Sequence, residues 1–243
     1  MFSLPRHQKI ALVLQTFDAD VLRDAECYFG GGTAIVLGLG EYRESVDIDF
    51  LCASSDGYRK LRNIVGSGLG ALLKKPITHL REVRTDQYKI WTILEVDKVP
   101  VKVEIVREGR VSIQPDQNGL LGVPLLSRDD LYCQKLLANA DRGLDRALLS
   151  RDIIDLAMMI RGWGAIPPQS WEKARAAYGD QLMKAFHRCV GLVSDPDYLQ
   201  SCLRKMNMDE TLAAEIIAAL NSVSATMPSG MRQESGIRTQ GSE

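Results

Sequence analysis

Three consecutive glycines, Gly30, Gly31 and Gly32, run into Thr33 and are followed by Asp47-Ile-Asp49; no other stretch constrains this chain as much. On a strand, residues i and i+2 project to one face, so Asp47 and Asp49 stand side by side, with Val46, Ile48 and Phe50 expected in the core. Two carboxylates held that close repel each other unless a cation lies between them, and hard divalent ions such as Mg2+ favour such oxygen ligands. Glycines lack Cβ, so backbone N–H groups around Gly31, Gly32 and Thr33 can approach and cradle an anion, and a helix starting near Thr33 adds its positive end. A phosphate cradle beside a carboxylate pair suggests chemistry on a nucleoside triphosphate. Asp-x-Asp alone is commonly a solvated strand end or turn, and a glycine run alone a tight turn. The order carries the expectation: apolar strand, glycines and threonine, apolar helix, loop, then acids inside an apolar strand.

With 243 residues the chain can bury a sizeable core, in one large or two small domains. A net charge of −1 excludes a global field that would attract nucleic acid, so any such contact needs a local basic patch. Cys27, Cys52, Cys133, Cys189 and Cys202 are widely spaced, odd in number and without a CxxC pair, which argues against zinc and against a disulfide framework. They read as buried thiols of a reducing cytoplasm. The N-terminal residues lack a signal-peptide apolar run, and nothing approaches a membrane span, so a cytoplasmic protein without a membrane partner is expected.

Along the chain, Ile10, Val13, Leu14 and Phe17 share one side of a helix from Pro5 to about Phe17, with His7 expected on its exposed side. Cys27 to Phe29 reads as a short buried strand and Ala34 to Leu39 as a helix stopped by Gly38 and Gly40. Arg43 and Ser45 fall in the loop before the acids. Arg43 either pairs with triphosphate oxygens, for which guanidinium geometry is suited, or is a surface arginine paired with Glu41 or Glu44. Asp56 to about Ile64 is a helix with Arg59, Lys60 and Arg62 on a solvated face. Strands are expected over 78–83, 88–96 and 99–106, with Asp97-Lys98 as a hairpin turn. In the last of these, Val101, Val103 and Ile105 share the buried face while Lys102 and Glu104 share the other. Ser127 and Asp130 fit a capping box, and the pattern is helical from there to about residue 223, interrupted at Trp163-Gly164 and Ile166-Pro-Pro168. The tail from Ala225 has too little apolar content to fold and is expected to be disordered.

The Gly-Gly-Thr and Asp-x-Asp order resembles the signature of the DNA polymerase β-like nucleotidyltransferase superfamily. More narrowly, Gly31-Gly32-Thr33-Ala34 followed by Arg43-x-Ser45-x-Asp47-x-Asp49 is similar to the AbiEii/AbiGii toxin family, which includes the MenT toxins. Lys135, Arg142 and the element Arg151-Asp-Ile-Ile-Asp-Leu156 are similar to that family's downstream pattern, so the matched motifs span residues 30–156. The resemblance implies an α+β fold, with a small mixed sheet and flanking helices over residues 1–125 and a helical part over 126–224 that completes the site. It implies Mg2+ or Mn2+ on Asp47 and Asp49, with Glu104 as a third carboxylate on the neighbouring strand. Glu stands where Asp is commoner, and a salt-bridged surface Glu is the alternative. It also implies a triphosphate held by Gly31, Gly32, Thr33, Arg43, Ser45 and Lys135, and Asp152 completing the catalytic set by orienting Lys135 or moving a proton. Asp155 shares that helix face and could pair with Arg142 or Arg151.

The activity implied is transfer of a nucleoside monophosphate from an NTP to RNA, with the tRNA 3′ end as acceptor and a neighbouring antitoxin as control. The same donor site would serve transfer to an aminoglycoside-like small molecule or to a protein side chain. An acidic acceptor pocket would favour a cationic drug; one lined by Arg59, Lys60, Lys74, Lys75, Arg81 and Arg84 would favour RNA. A catalytically silent fold acting as a binding module is a third reading, against which the clustered acids argue.

Overall fold

The computed structural model describes residues 2–226. The expected disorder of the tail lies outside the described residues from 227 onward, while Ala225 and Thr226 complete the last helix. The chain first forms α1 (Pro5–Thr16) and α2 (Ala19–Asp24), then β1 (Cys27–Gly30), α3 (Gly31–Gly38), β2 (Asp47–Cys52) and α4 (Ser55–Ile64). A three-stranded meander follows: β3 (Thr78–Thr85), β4 (Lys89–Val96) and β5 (Val99–Arg107). Asp97 and Lys98 turn between β4 and β5 with φ of 49° and 66°, the paired positive φ of a tight hairpin.

The strands form one mixed sheet in the order β1-β2-β5-β4-β3. Its centre joins β2 to β5 in parallel, and the other pairs are antiparallel. Strict alternation decides the faces: Ile48, Phe50, Val103, Ile105, Ile90 and Leu94 are buried on one side. Against that side lie Ile10, Val13, Leu14 and Phe17, the last with its ring 5.1 Å from Phe50. Val46 does not join them. It precedes β2 and is 38% exposed, because the strand begins only at Asp47.

After a long loop the chain becomes helical: α5 (Arg128–Arg142), α6 (Arg151–Trp163), α7 (Pro168–Tyr178), α8 (Gln181–Val193), α9 (Pro196–Lys205) and α10 (Ala213–Thr226). Ser127 caps α5 by accepting from Asp130 N, and its hydroxyl donates to the Asp130 carboxylate at 2.9 Å. Cys133, Leu136 and Leu137 of α5, with Ile153, Leu156 and Ala157 of α6, merge with the sheet's buried residues into one core. All five cysteines are buried and free. No helix of the described residues is long and apolar enough to cross a membrane.

Candidate active site

The glycine turn and the acids are brought together by strand pairing. Gly30 ends β1 opposite Asp49 of β2, so the next residue, Gly31, must pass over the Asp49 side chain. Gly31 adopts φ +68°, and a Cβ there would lie 2.5 Å from Asp49 Oδ2 and 2.9 Å from Asp49 Cβ. Only glycine accepts both that conformation and that approach. α3 thus starts at Gly31, three residues before the expected Ala34, and its N-terminal end faces the acid strand. At Gly32 a Cβ would meet Arg43 Nη2 at 2.7 Å and Lys135 Nζ at 3.7 Å.

Thr33 is buried and ties this turn to the acids: its hydroxyl donates to Asp47 O and lies 2.7 Å from Ser45 Oγ. Ser45 N in turn donates to His7 Nε2 at 2.9 Å, while His7 Nδ1 stands 2.8 Å from Glu41 Oε1. Nε2 therefore accepts, which leaves the proton on Nδ1 for Glu41. His7 is fully buried, contrary to the exposed position expected for it. Periodicity around α1 could not reveal that a loop over thirty residues away folds onto that face. Glu41 is pushed up by burial, yet the Ser3 and Leu4 amides and His7 hold it down at about 2.

The register of β2 with β5 sets Asp49 beside Glu104 and Asp47 beside Lys102. All four side chains stand on the face opposite the core. Burial first, then Asp47 and Glu104, push the Asp49 carboxyl up to about 6. A half-buried acid crowded by two neighbouring acids is a site with unmet negative charge, and oxygen donors of this kind fit a hard divalent cation. Glu104 reaches the pair in register, but its carboxylate lies 2.6 Å from Lys89 Nζ and 2.8 Å from Lys102 Nζ. Among the described residues no group of three or more acid, His or Cys side chains is poised around a common ion position.

Behind the glycine turn lies a buried charge network. Lys135 donates to Asp152 Oδ1 at 2.8 Å and stands 2.6 Å from Asp155 Oδ2. Arg43 is not a surface arginine and does not pair with the carboxylates of Glu41 or Glu44. Its Nε and Nη2 both donate to Asp155, each at 2.8 Å, and Nη1 donates to Glu44 O. Arg142 donates to Asp152 at 2.8 Å, and Tyr42 Oη to Asp155 at 2.7 Å. Asp155 thus belongs to Arg43, Lys135 and Tyr42 rather than to Arg142 or Arg151. Burial pushes Asp155 up, but Arg43 and Lys135 hold it at about 2; Asp152 is held lower still by Lys135 and Arg142 against the same burial. Three cations face two anions here, so the network presents surplus positive charge to the turn.

These groups open on a cleft of about 390 Å³, within the roughly 300–1,000 Å³ range of small-molecule sites. Gly32, Thr33, Arg43, Ser45, Asp47, Asp49, Glu104 and Lys135 all line it. Gly31 lines an adjoining hollow with Asp49 and Lys135, and Asp152 acts from behind by holding Lys135. The remaining wall contains Lys102, Arg142, Arg151, Lys205 and Asn207. Lys205 and Asn207, at the end of α9, carry no sequence signal that could have assigned them here. The basic side chains suggested from sequence for an acceptor pocket do not line this cleft: Arg59 pairs with Asp56 and Lys60 with Asp24.

Residues 13–228 match the family model described as "Nucleotidyl transferase AbiEii toxin, Type IV TA system". The fold is similar to that of a candidate nucleotidyltransferase from H. pylori, with a TM-score of 0.52 and 18% identity, covering 91% of this chain and 95% of that one. It is equally similar to JHP933 from Helicobacter pylori, with a TM-score of 0.53 and 17% identity, covering 93% of this chain and 95% of that one. No curated protein matches the chain.

Proposed function

The chain belongs to the AbiEii nucleotidyl transferase toxin family, a nucleotidyltransferase family of type IV toxin–antitoxin systems, and on that premise we propose that it moves a nucleoside monophosphate from an NTP to a hydroxyl at the tRNA 3′ end, in a Mg2+-dependent reaction that releases pyrophosphate. One observation carries this reading: a glycine turn in van der Waals conflict with anything larger than hydrogen lies directly on Asp49, beside Asp47.

Asp47 and Asp49 would hold the divalent ion, Mg2+ or Mn2+, and Glu104 could join them once released by Lys89 and Lys102. When bound, the ion supplies polarisation of the α-phosphate and neutralises developing charge. The amides at the start of α3 and the hydroxyls of Thr33 and Ser45 would receive triphosphate oxygens. Lys135, fixed by two aspartates, would face the oxygens on which charge builds as pyrophosphate departs. Arg43 would border the same oxygens while orienting Asp155, and Asp152 holds Lys135 in place. Glu104, in register beside Asp49, is assigned the role of accepting the proton of the incoming hydroxyl once Lys89 and Lys102 release it.

Cations outnumber anions on the cleft wall, which favours a polyanionic acceptor over a cationic aminoglycoside. Transfer to a protein side chain would use the same donor site. The family assignment brings a cognate antitoxin as partner. The test incubates the protein with each labelled NTP, Mg2+ and total RNA, then fractionates RNA, protein and small molecules. Label in tRNA that disappears with Asp47→Asn supports the proposal; equal labelling by both proteins overturns the site.

A further inference from the structure

On the face that carries the acids, the sheet continues for two further strands. Strand register sets Asp49 beside Glu104, Glu104 beside Trp91 and Trp91 beside Arg84, a single row from β2 to β3. The next row runs Asp47, Lys102, Ile93 and Arg81. Ile90, Thr92 and Leu94 between them are buried on the opposite face, whereas Trp91 and Ile93 are only half-buried. An indole and an isoleucine are thus left in partial contact with water next to the cleft. The Arg84 guanidinium lies over the Trp91 ring at 5.4 Å, and β3 is exposed along nearly its whole length. Beyond the acids the two rows carry Lys102, Arg84 and Arg81; Glu95, opposite Thr78 and Pro100, stands farther along β4, and the exposed Glu82 lies between Arg81 and Arg84 at the irregularity of β3.

Accepting the nucleotidyl transfer argued above, we infer that this face is the acceptor's docking surface and that the acceptor meets it as a single-stranded nucleic-acid end. A base would stack on the Trp91–Arg84 pair, and phosphates would meet Lys102, Arg81 and Arg84. Three features select that occupant. An aromatic ring next to guanidinium groups is the combination that single strands use, because every base has a π-face and every linkage an anion. The surface is continuous with the cleft, so a strand lying on it ends at Asp47 and Asp49. Three strand spacings, roughly 14 Å, separate β2 from β3, which is the reach of a few nucleotides. A duplex would leave its bases unavailable to Trp91.

The test uses the full chain and a labelled single-stranded RNA of about ten nucleotides with a free 3′ hydroxyl, within the usual site size of such surfaces. Fluorescence anisotropy is expected to show Trp91→Ala binding this RNA roughly ten-fold more weakly, with Trp91→Phe recovering most of the loss. Arg81→Ala and Arg84→Ala are each expected to lower the slope of log affinity against log salt by about one. Calorimetric affinity for NTP with Mg2+ is expected to stay unchanged in all four variants. RNA affinity that ignores Trp91 while NTP binding persists would overturn the docking surface alone. A parallel loss of NTP affinity in Trp91→Ala would make Trp91 a structural residue and overturn it likewise. Wild-type protein that binds neither NTP nor RNA would overturn both readings, and label appearing on a protein with no RNA affinity would overturn this one.

Discussion

Gly31 and Asp49 share one small volume: a Cβ on the glycine would lie 2.5 Å from the carboxylate oxygen. The turn that would hold the triphosphate and the acid that would hold the cation are therefore fixed relative to each other by direct contact, not through intermediates. Gly31→Ala must displace one or the other, and it also places a side chain at φ +68°. We expect nucleotide incorporation to fall about 10²-fold, as for other small displacements of reacting groups. The conformational penalty adds about 1–2 kcal/mol of lost stability. Incorporation assays and urea unfolding check both, and full activity in this variant would show that the contact is unnecessary.

Asp49→Asn should separate stability from activity. With its carboxyl raised to about 6 by burial, Asp47 and Glu104, the folded chain holds that proton more tightly than the unfolded chain does. The ionised acid therefore opposes folding, with a penalty that grows as pH rises from about 4 to 6 and is complete above that. Without metal, Asn is expected to stabilise the protein at neutral pH by roughly 2–3 kcal/mol while abolishing transfer. Thermal melts of wild type and variant, with and without Mg2+, are the measurement; Mg2+ should raise only the wild-type midpoint.

Asp155 behaves in the opposite sense. Burial pushes its carboxyl up, but Arg43 and Lys135 hold it at about 2. A depressed folded value contributes stability that is present above the ordinary carboxylate range and lost as pH falls from about 4 to 2. Asp155→Asn removes the common partner of Arg43, Lys135 and Tyr42, and breaking a buried pair of this kind costs about 3–5 kcal/mol. Urea midpoints across that acidic window should fall steeply for wild type and less so for the variant.

His7→Ala leaves the Ser45 amide without its acceptor and Glu41 without its imidazole partner. A buried N–H left unsatisfied costs about 1–3 kcal/mol, and the vacated ring space adds to that. Because Ser45 touches Thr33, whose hydroxyl donates to Asp47 O, NTP affinity should weaken together with stability. Chemical denaturation and NTP titration measure the two effects. Wild-type NTP affinity in a destabilised His7→Ala would confine His7 to a structural role.

The sequence alone determined what depends on neighbours a few residues apart. Alternation in Asp47–Phe50 and Val101–Ile105 dictates which side of each strand is apolar, and hence that Asp47, Asp49, Lys102 and Glu104 all face away from the core. Ser127 and Asp130 announce a helix start, and the glycine run announces a turn that no larger residue could make. Partner choice was different. Arg43 meets Asp155 across 112 residues and His7 meets Ser45 across 38, while Lys89 and Lys102 claim Glu104. Lys205 reaches the cleft from α9. A buried charge takes whichever opposite charge the packed helices and strands bring within hydrogen-bonding distance. Side-chain periodicity says which face a residue occupies; only the assembled tertiary structure decides what that face meets.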